Sequence, residues 1–514
     1  SSIKIGSGGS ATGQGALAVG KDANALADNA TAVGAGNHGG TETKASGSAS
    51  SAFGVDAQAK SANSLAMGSF SRADGTSSIA IGDRADASLG GAADVYGMAI
   101  GANTKAYAYS IALGTGANAD QGGYTPLGGS VAIGSGAYVN GTGTIAIGSS
   151  ATSNSLNAIT LGVESKAVGS YAVSVGNKSY AGNERSVAIG HEAMANGYGG
   201  LAIGFWSNSE GAGATSFGNQ AQATSNFSSA IGFKARANAL YAVAIGSGQD
   251  NLTNNTQASG ESSVAIGGNS SAGAKSSGKN AVAIAGESVA SGANAIASGR
   301  KSASSNVGAI ALGDSGTASG AQAIAVGESS VASGAQAISF GLSSNASAAN
   351  TVAVGNKAFA NTVDAMAFGN GSSATNTQAI AMGKSSVASG VTSVAIGYLA
   401  QATGTNNYAL GTGAQAVGGW GTAIGNNSYA SGNNGGSAIA IGPNANAITE
   451  PGGNMAIAIG ESTIARKSAI AMGYGAKAEQ DGAIALGYSA NATGSVSGIA
   501  IGDWANATVR NAIA

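Results

Sequence analysis

Residues 130–148 read Ser130-Val131-Ala132-Ile133-Gly134-Ser135-Gly136-Ala137-Tyr138-Val139-Asn140-Gly141-Thr142-Gly143-Thr144-Ile145-Ala146-Ile147-Gly148, and this stretch decides the fold. An aliphatic residue, Ala, a second aliphatic residue and Gly stand at 131–134 and return fourteen residues later at 145–148. After Gly134, small apolar residues stand three and five places on, at Ala137 and Val139, with another Gly at 141. Both halves alternate with period two and β-branched residues dominate the first half, which is the strand signature. Fourteen residues therefore predict strand, turn, strand, turn: one coil of a parallel β-solenoid, stacked on the next about 4.8 Å further along the axis.

The same unit recurs along the whole chain. Copies include Ile79-Ala80-Ile81-Gly82, Val187-Ala188-Ile189-Gly190, Val264-Ala265-Ile266-Gly267 and Val394-Ala395-Ile396-Gly397. Motif glycines fall at 6, 20, 34, 54, 68, 82, 101, 114 and 134, then every fourteen residues to 246. They resume at 267, Ala285 takes the next Gly slot, and from 299 the step is unbroken to 425, followed by 442, 460, 473, 487 and 502. Of these 33 gaps, 23 are fourteen residues long and three miss by one, so the longer gaps are loop insertions and not loss of register. Residues 1–514 read as a single repetitive domain, and roughly 35 such turns would stack into a rod about 170 Å long.

Counting the motif Gly as slot zero, slots −3 and −1 share one face of the first strand, and Ala at −2 shares the other with the Gly. The large face is expected to fill the roll against the small residues of the second strand. Phe53, Phe217, Phe340 and Phe368, all at −1, are then core fillers. The Ala/Gly face is expected to let another backbone approach closely. A coil this thin is marginal alone, so self-association is expected, with the number of chains left open.

Composition excludes several function classes. Of 514 residues, 87 are Gly and only 9% are charged, where a soluble domain carries about 25% charge. Cys is absent, so no disulfide framework, thiolate metal site or cysteine nucleophile exists. A net charge of −2 with scattered Lys and Arg leaves no electrostatic footprint for nucleic acid. No apolar run approaches the length of a membrane span, and no signal peptide opens the chain, so the start at Ser1 reads as a mature or truncated fragment. Only two His occur, His38 in a Gly-rich insertion and His191 directly after a motif Gly, neither with a partnering acid and nucleophile. Asp83, Glu164, Glu328 and Asp503 follow motif glycines and mark a solvated turn. No catalytic residue, cofactor or metal site is expected. Asn-x-Ser/Thr triplets such as Asn345-Ala346-Ser347 read as chance composition.

The runs Ser186-Val187-Ala188-Ile189-Gly190, Ser263-Val264-Ala265-Ile266-Gly267 and Ser393-Val394-Ala395-Ile396-Gly397 resemble the SVAIG core of YadA-type head repeats of trimeric autotransporter adhesins. The fourteen-residue spacing matches too, and the resemblance covers essentially the whole chain. It implies a left-handed parallel β-roll assembled as a parallel homotrimer on the surface of a Gram-negative bacterium. It also implies attachment to extracellular matrix proteins such as collagen, fibronectin and laminin, to host cells, or to other bacteria in autoagglutination and biofilm. The alternative is a rigid spacer displaying a binding region elsewhere. No neck, heptad stalk or C-terminal anchor strands are seen after Ile513-Ala514, so outer-membrane anchoring is assigned to a missing C-terminal region.

Binding variation on a repeat scaffold concentrates in loops. Insertions are read near 37–42, 89–94, 121–127, 249–257, 269–273, 433–435 and 449–453. Some aromatics occupy turn slots where no core needs them, and exposed Trp and Tyr are favoured contact residues. Phe205-Trp206 is the foremost candidate for ligand contact, followed by Phe233, Tyr398, Tyr474, Tyr488, Trp504, Trp420 and Tyr124.

Overall fold

The computed structural model describes residues 1–36, 42–89, 96–120, 129–248, 254–268, 271–433, 435–451, 454–494 and 496–514. Among them every regular element is a β-strand, and the chain divides into two compact units, Ser1–Ser262 and Ser263–Ala514.

The turn read above shows how each unit is built. Val131–Ile133 forms the first strand and Tyr138–Asn140 the second. Val131, Ala132 and Ile133 pair in parallel with Ile145, Ala146 and Ile147, while Tyr138 and Val139 pair with Thr152 and Ser153. In the second unit, Ile310, Ala311 and Leu312 pair in the same way with Ile324, Ala325 and Val326. Each unit is therefore two parallel sheets, one of first strands and one of second strands, that share a core. Two corners per turn join them, and each holds one residue in the left-handed region, as at Ser150 (φ 55°) and Asn157 (φ 52°).

The motif Gly is a steric requirement. Gly134 sits at φ 131°, and a Cβ there would lie 2.4 Å from the carbonyl oxygen of Gly148 in the next turn. Ala285, at φ 85°, is accommodated where the stack is locally altered: a Cβ on Gly267 would meet the Ala285 Cα at 2.9 Å instead of a carbonyl oxygen.

The packing is the reverse of the sequence expectation. The −2 alanines Ala132, Ala146 and Ala188 are fully buried, whereas Ile147 and Ile189 are exposed by more than a third. Large −3 and −1 residues point away from the roll, and the core is filled by Ala, Ser and Thr. The −1 phenylalanines are not core fillers: Phe217 and Phe340 are more than half exposed, and Phe53 and Phe368 are half-buried. The reason is the shortness of the corners, which hold the two sheets too close for anything larger than a methyl or hydroxymethyl group at most core slots. Val139 and Asn407 are among the largest side chains buried there. Many core hydroxyls bond back to the corner, as Thr144 Oγ1 does to Gly141 O (2.9 Å) and Ser165 Oγ to Gly162 O (2.8 Å), which satisfies those donors; Ser216 Oγ is buried without a partner.

The coil widens between 415 and 466. First strands lengthen to Ser437–Ile441 and Met455–Ile459, alternating between outward and buried along five residues. Buried Asn407 opens this segment, its Nδ2 donating to Ala416 O (2.9 Å) and its Oδ1 accepting from Gly421 N (2.6 Å). The insertions near 433–435 and 449–453 thus adjoin lengthened strands, with Thr449 Oγ1 accepting from Asn433 N (2.7 Å).

Candidate functional site

Between Gly134 and Gly246 every turn is fourteen residues long, so equal slots align into columns. Slot +2, the left-handed corner residue, and slot +4, on the outward face of the second strand, make two adjacent columns. Over residues 150–222 the two rows flank an open groove of about 990 Å³. Ser150, Glu164, Lys178, Glu192 and Trp206 form one row; Thr152, Lys166, Tyr180, Met194, Asn208 and Gln222 form the other.

Trp206 is the central fixture. It is about half exposed and sits at φ 52°, a conformation that disfavours a bulky residue. Its indole is held from both sides. The Nε1–H donates to the Glu192 carboxylate in the preceding turn, and the ring packs on Phe205 with centroids 4.6 Å apart and planes 32° apart. Phe205 in turn meets the edge of His191 at 5.2 Å, and His191 Nδ1 lies 3.9 Å from Glu192. Tyr180 is placed by the absence of a side chain. A Cβ at Gly182 would lie 2.5 Å from Tyr180 Cε1, so the phenol ring lies down across the strand. The charges balance, two Glu against two Lys, with Lys178 Nζ 4.0 Å from Glu164 Oε2.

The other aromatics expected at turns are placed differently. Tyr474 and Tyr488 stack at 5.1 Å and 9°, and Trp504 meets Tyr488 edge-on at 5.4 Å. Tyr398 is exposed with Lys384 Nζ 5.9 Å from its ring centre, and Lys234 Nζ lies 5.0 Å from that of Phe233. Trp420 is exposed in the widened segment at φ 34°. Tyr124 and His38 lie outside the described residues. Of the aromatic candidates, only Trp206 lines the groove, with Phe205 packed behind it.

Sequence reasoning singled out Trp206 but passed over its partners across the groove, Lys166, Tyr180, Met194 and Asn208. Their signal was ambiguous: six consecutive turns from Gly162 to Gly232 carry larger residues at both +2 and +4, but so do the four turns from Gly54 to Gly101.

Among the described residues, no group of three or more His, Asp or Glu is placed to hold a metal ion. Among the described residues two titrations are shifted, both away from the groove. Burial, with the carboxylates of Asp120 and Asp86, pushes the Tyr107 phenol up. Hydrogen bonds from Ser315 and from the Arg300 guanidinium hold the Asp314 carboxyl below its ordinary value.

Comparison with known families agrees with the geometry. The YadA head domain repeat, defined as two copies of the unit, matches residues 11–37, 45–71, 59–85, 128–151, 181–205, 209–235, 223–248, 254–270, 258–284 and 290–315. It matches again at 318–344, 332–358, 346–372, 360–386, 374–400, 388–414, 421–435 and 467–490, so more than half the chain is covered. The chain belongs to the YadA head family. YadA heads are structural adhesins of the Gram-negative cell surface that generally form homotrimers, and the family is not enzymatic. A search of curated proteins returned no match. In this YadA head the repeated Ala core and motif Gly build the scaffold.

Proposed function

We propose that this YadA head is the adhesive part of a homotrimeric surface protein, binding host extracellular matrix proteins such as collagen, fibronectin and laminin, host cells, or other bacteria. Family membership carries the reading, and the outward sheet face supports its trimeric form. Across the chain no Asp, Glu, Lys or Arg occupies slot −3 or −1, so each turn adds an outward uncharged and mostly apolar pair to a charge-free ladder. Ile147, Leu161, Ile189, Ile231 and Ile245 on that ladder are all more than a third exposed in one chain. An apolar ladder of this length is not left in water by a soluble surface protein. Three chains with these faces turned to a common axis cover it and leave the second-strand sheets outward. Adhesion is then multivalent, with weak equivalent contacts repeated along three chains and over many copies per cell.

Solid-phase binding tests this, with the chain held trimeric by a fused coiled coil and presented to collagen, fibronectin, laminin, host cells and itself on beads. Saturable binding to a host target is the expected result. Clumping of beads alone places the function in contact between bacteria. Silence on every target replaces the adhesive reading with that of a spacer.

A further inference from the structure

From the groove at 150–222 we infer a carbohydrate site: the rows around Trp206 and Tyr180 are built to take a short neutral oligosaccharide. The inference deepens the adhesive reading and rests on it. Three observations select this ligand class.

The first is the aromatic surface. With its N–H bonded to Glu192 and its ring buttressed by Phe205, the Trp206 indole presents a fixed carbon surface and no free donor. Tyr180 lies flat over Gly182 in the neighbouring column. Sugar rings present C–H faces between their hydroxyls, and pre-positioned aromatic rings meet such faces without losing side-chain entropy on binding.

The second is the polar complement. Thr152 and Gln222 offer a hydroxyl and an amide that both donate and accept, as a polyhydroxylated ligand requires, while Asn208 Nδ2 is committed to Glu210 Oε1 (2.8 Å). The two carboxylates and two ammonium groups cancel, and both carboxylates already have partners in Lys178 and Trp206. A highly charged ligand would find no net field to gain from.

The third is what the groove lacks for a peptide. Binding an extended peptide by strand addition needs an open sheet edge. Here the second-strand backbone is committed to the next turn, with Lys166 N bonded to Ser179 O, Tyr180 N to Ala193 O and Met194 N to Ser207 O, all at 2.8 Å. The six turns span roughly 24 Å of stacked strand, which suits an oligomer better than a monosaccharide.

The test uses the full chain in a Trp420→Phe/Trp504→Phe background, where Trp206 is the sole indole. Short neutral oligomers of glucose, N-acetylglucosamine, galactose and mannose are titrated while Trp206 emission is followed. At least one oligomer is expected to give a saturable change, and Trp206→Asn is expected to weaken its binding about tenfold or more by calorimetry. Asn suits the left-handed corner, so this variant keeps the turn. In the otherwise unchanged chain, Trp504→Asn, at the same slot in the second unit, should leave the calorimetric affinity unchanged. No oligomer bound, equal binding by Trp206→Asn, or a polypeptide that occupies the groove in place of sugars would each overturn the assignment. Matrix or cell adhesion that persists in Trp206→Asn while no sugar binds removes the carbohydrate site and leaves the adhesive reading standing.

Discussion

Two corners of this repeat carry aromatic residues in the same slots, and they differ in what stands beside them: the first lines the groove at 150–222. His191, Phe205 and Trp206 in the first unit occupy slots +1, +1 and +2, as do Tyr474, Tyr488 and Trp504 in the second. Around Trp206 the +2 neighbours are Glu192 and Lys178; beside Trp504 they are Ser489 and Gly475. The second cluster stacks ring on ring, with nothing large beside it in its own column. In a solenoid, then, an exposed aromatic slot becomes a candidate site only where several consecutive turns wall it in. The scaffold beneath the two corners is the same, and this separates effects that should be shared from effects that should not.

The largest effect should not distinguish the corners. Gly190→Val and Gly473→Val each drive a Cβ to within about 2.4 Å of the carbonyl oxygen of the next motif Gly. Each is expected to destabilise its own turns by on the order of 3 kcal/mol, read as lost hydrogen-exchange protection local to that corner. Tolerance at either site would mean that the stack can open without the steric lock described above. Ala285→Gly is the converse: it relieves a left-handed Ala and should be neutral or slightly stabilising in the same measurement.

Assembly should also respond equally. Ile189→Asp with Ile203→Asp, and Met472→Asp with Leu486→Asp, place charges on the aliphatic ladder at the two corners. Because these side chains point outward, each monomer should fold as before. The association constant should fall at least tenfold, about 1.4 kcal/mol, by sedimentation equilibrium. If one pair dissociates the assembly and the other does not, the ladder is an interface over only part of its length.

Much of this was legible in the sequence, and the part that was not has a definite cause. The coil, its two strands and the parallel pairing follow from the fourteen-residue step and from the alternation around Val131–Gly134. Which face of Val131-Ala132-Ile133 turns inward does not follow from alternation, because period two separates the faces without saying which is inside. The usual rule buries the larger residues. It fails here because both faces are apolar and the spacing of the sheets, set by two short corners, admits only Ala, Ser and Thr. Uncharged −3 and −1 slots in every turn are equally consistent with a core and with an interface between chains. For the groove, Trp206 was visible as an aromatic without a core to fill. Tyr180 was not, since its placement depends on Gly182 two residues along and on the alignment of six turns.

The aromatic corners themselves should matter little for stability. Trp206→Asn and Trp504→Asn both relieve a bulky residue at φ 52° and 61°, worth about 1 kcal/mol. Both lose a ring contact worth about 0.5–1.5 kcal/mol. The two terms nearly cancel, so each variant should lie within about 1 kcal/mol of the parent in a denaturant titration. A large loss at Trp206 alone would make the indole a structural brace and its exposure incidental.

The smallest expected effect is the response of groove binding to salt, and it discriminates most finely between ligand classes. Raising ionic strength from about 0.1 M to about 1 M shortens the Debye length from about 10 Å to about 3 Å. A charged ligand drawn by Lys166 and Lys178, or by Glu164 and Glu192, would lose affinity steadily over that range. The four side chains sum to zero and are solvent-exposed, so a neutral oligosaccharide should bind with affinity changed by less than about twofold. The Trp206 emission titration measures this directly at each salt concentration. A steep decline would show that one sign of charge dominates recognition, and the walls of the groove, more than its aromatic floor, would then be what distinguishes this corner from Tyr474–Trp504.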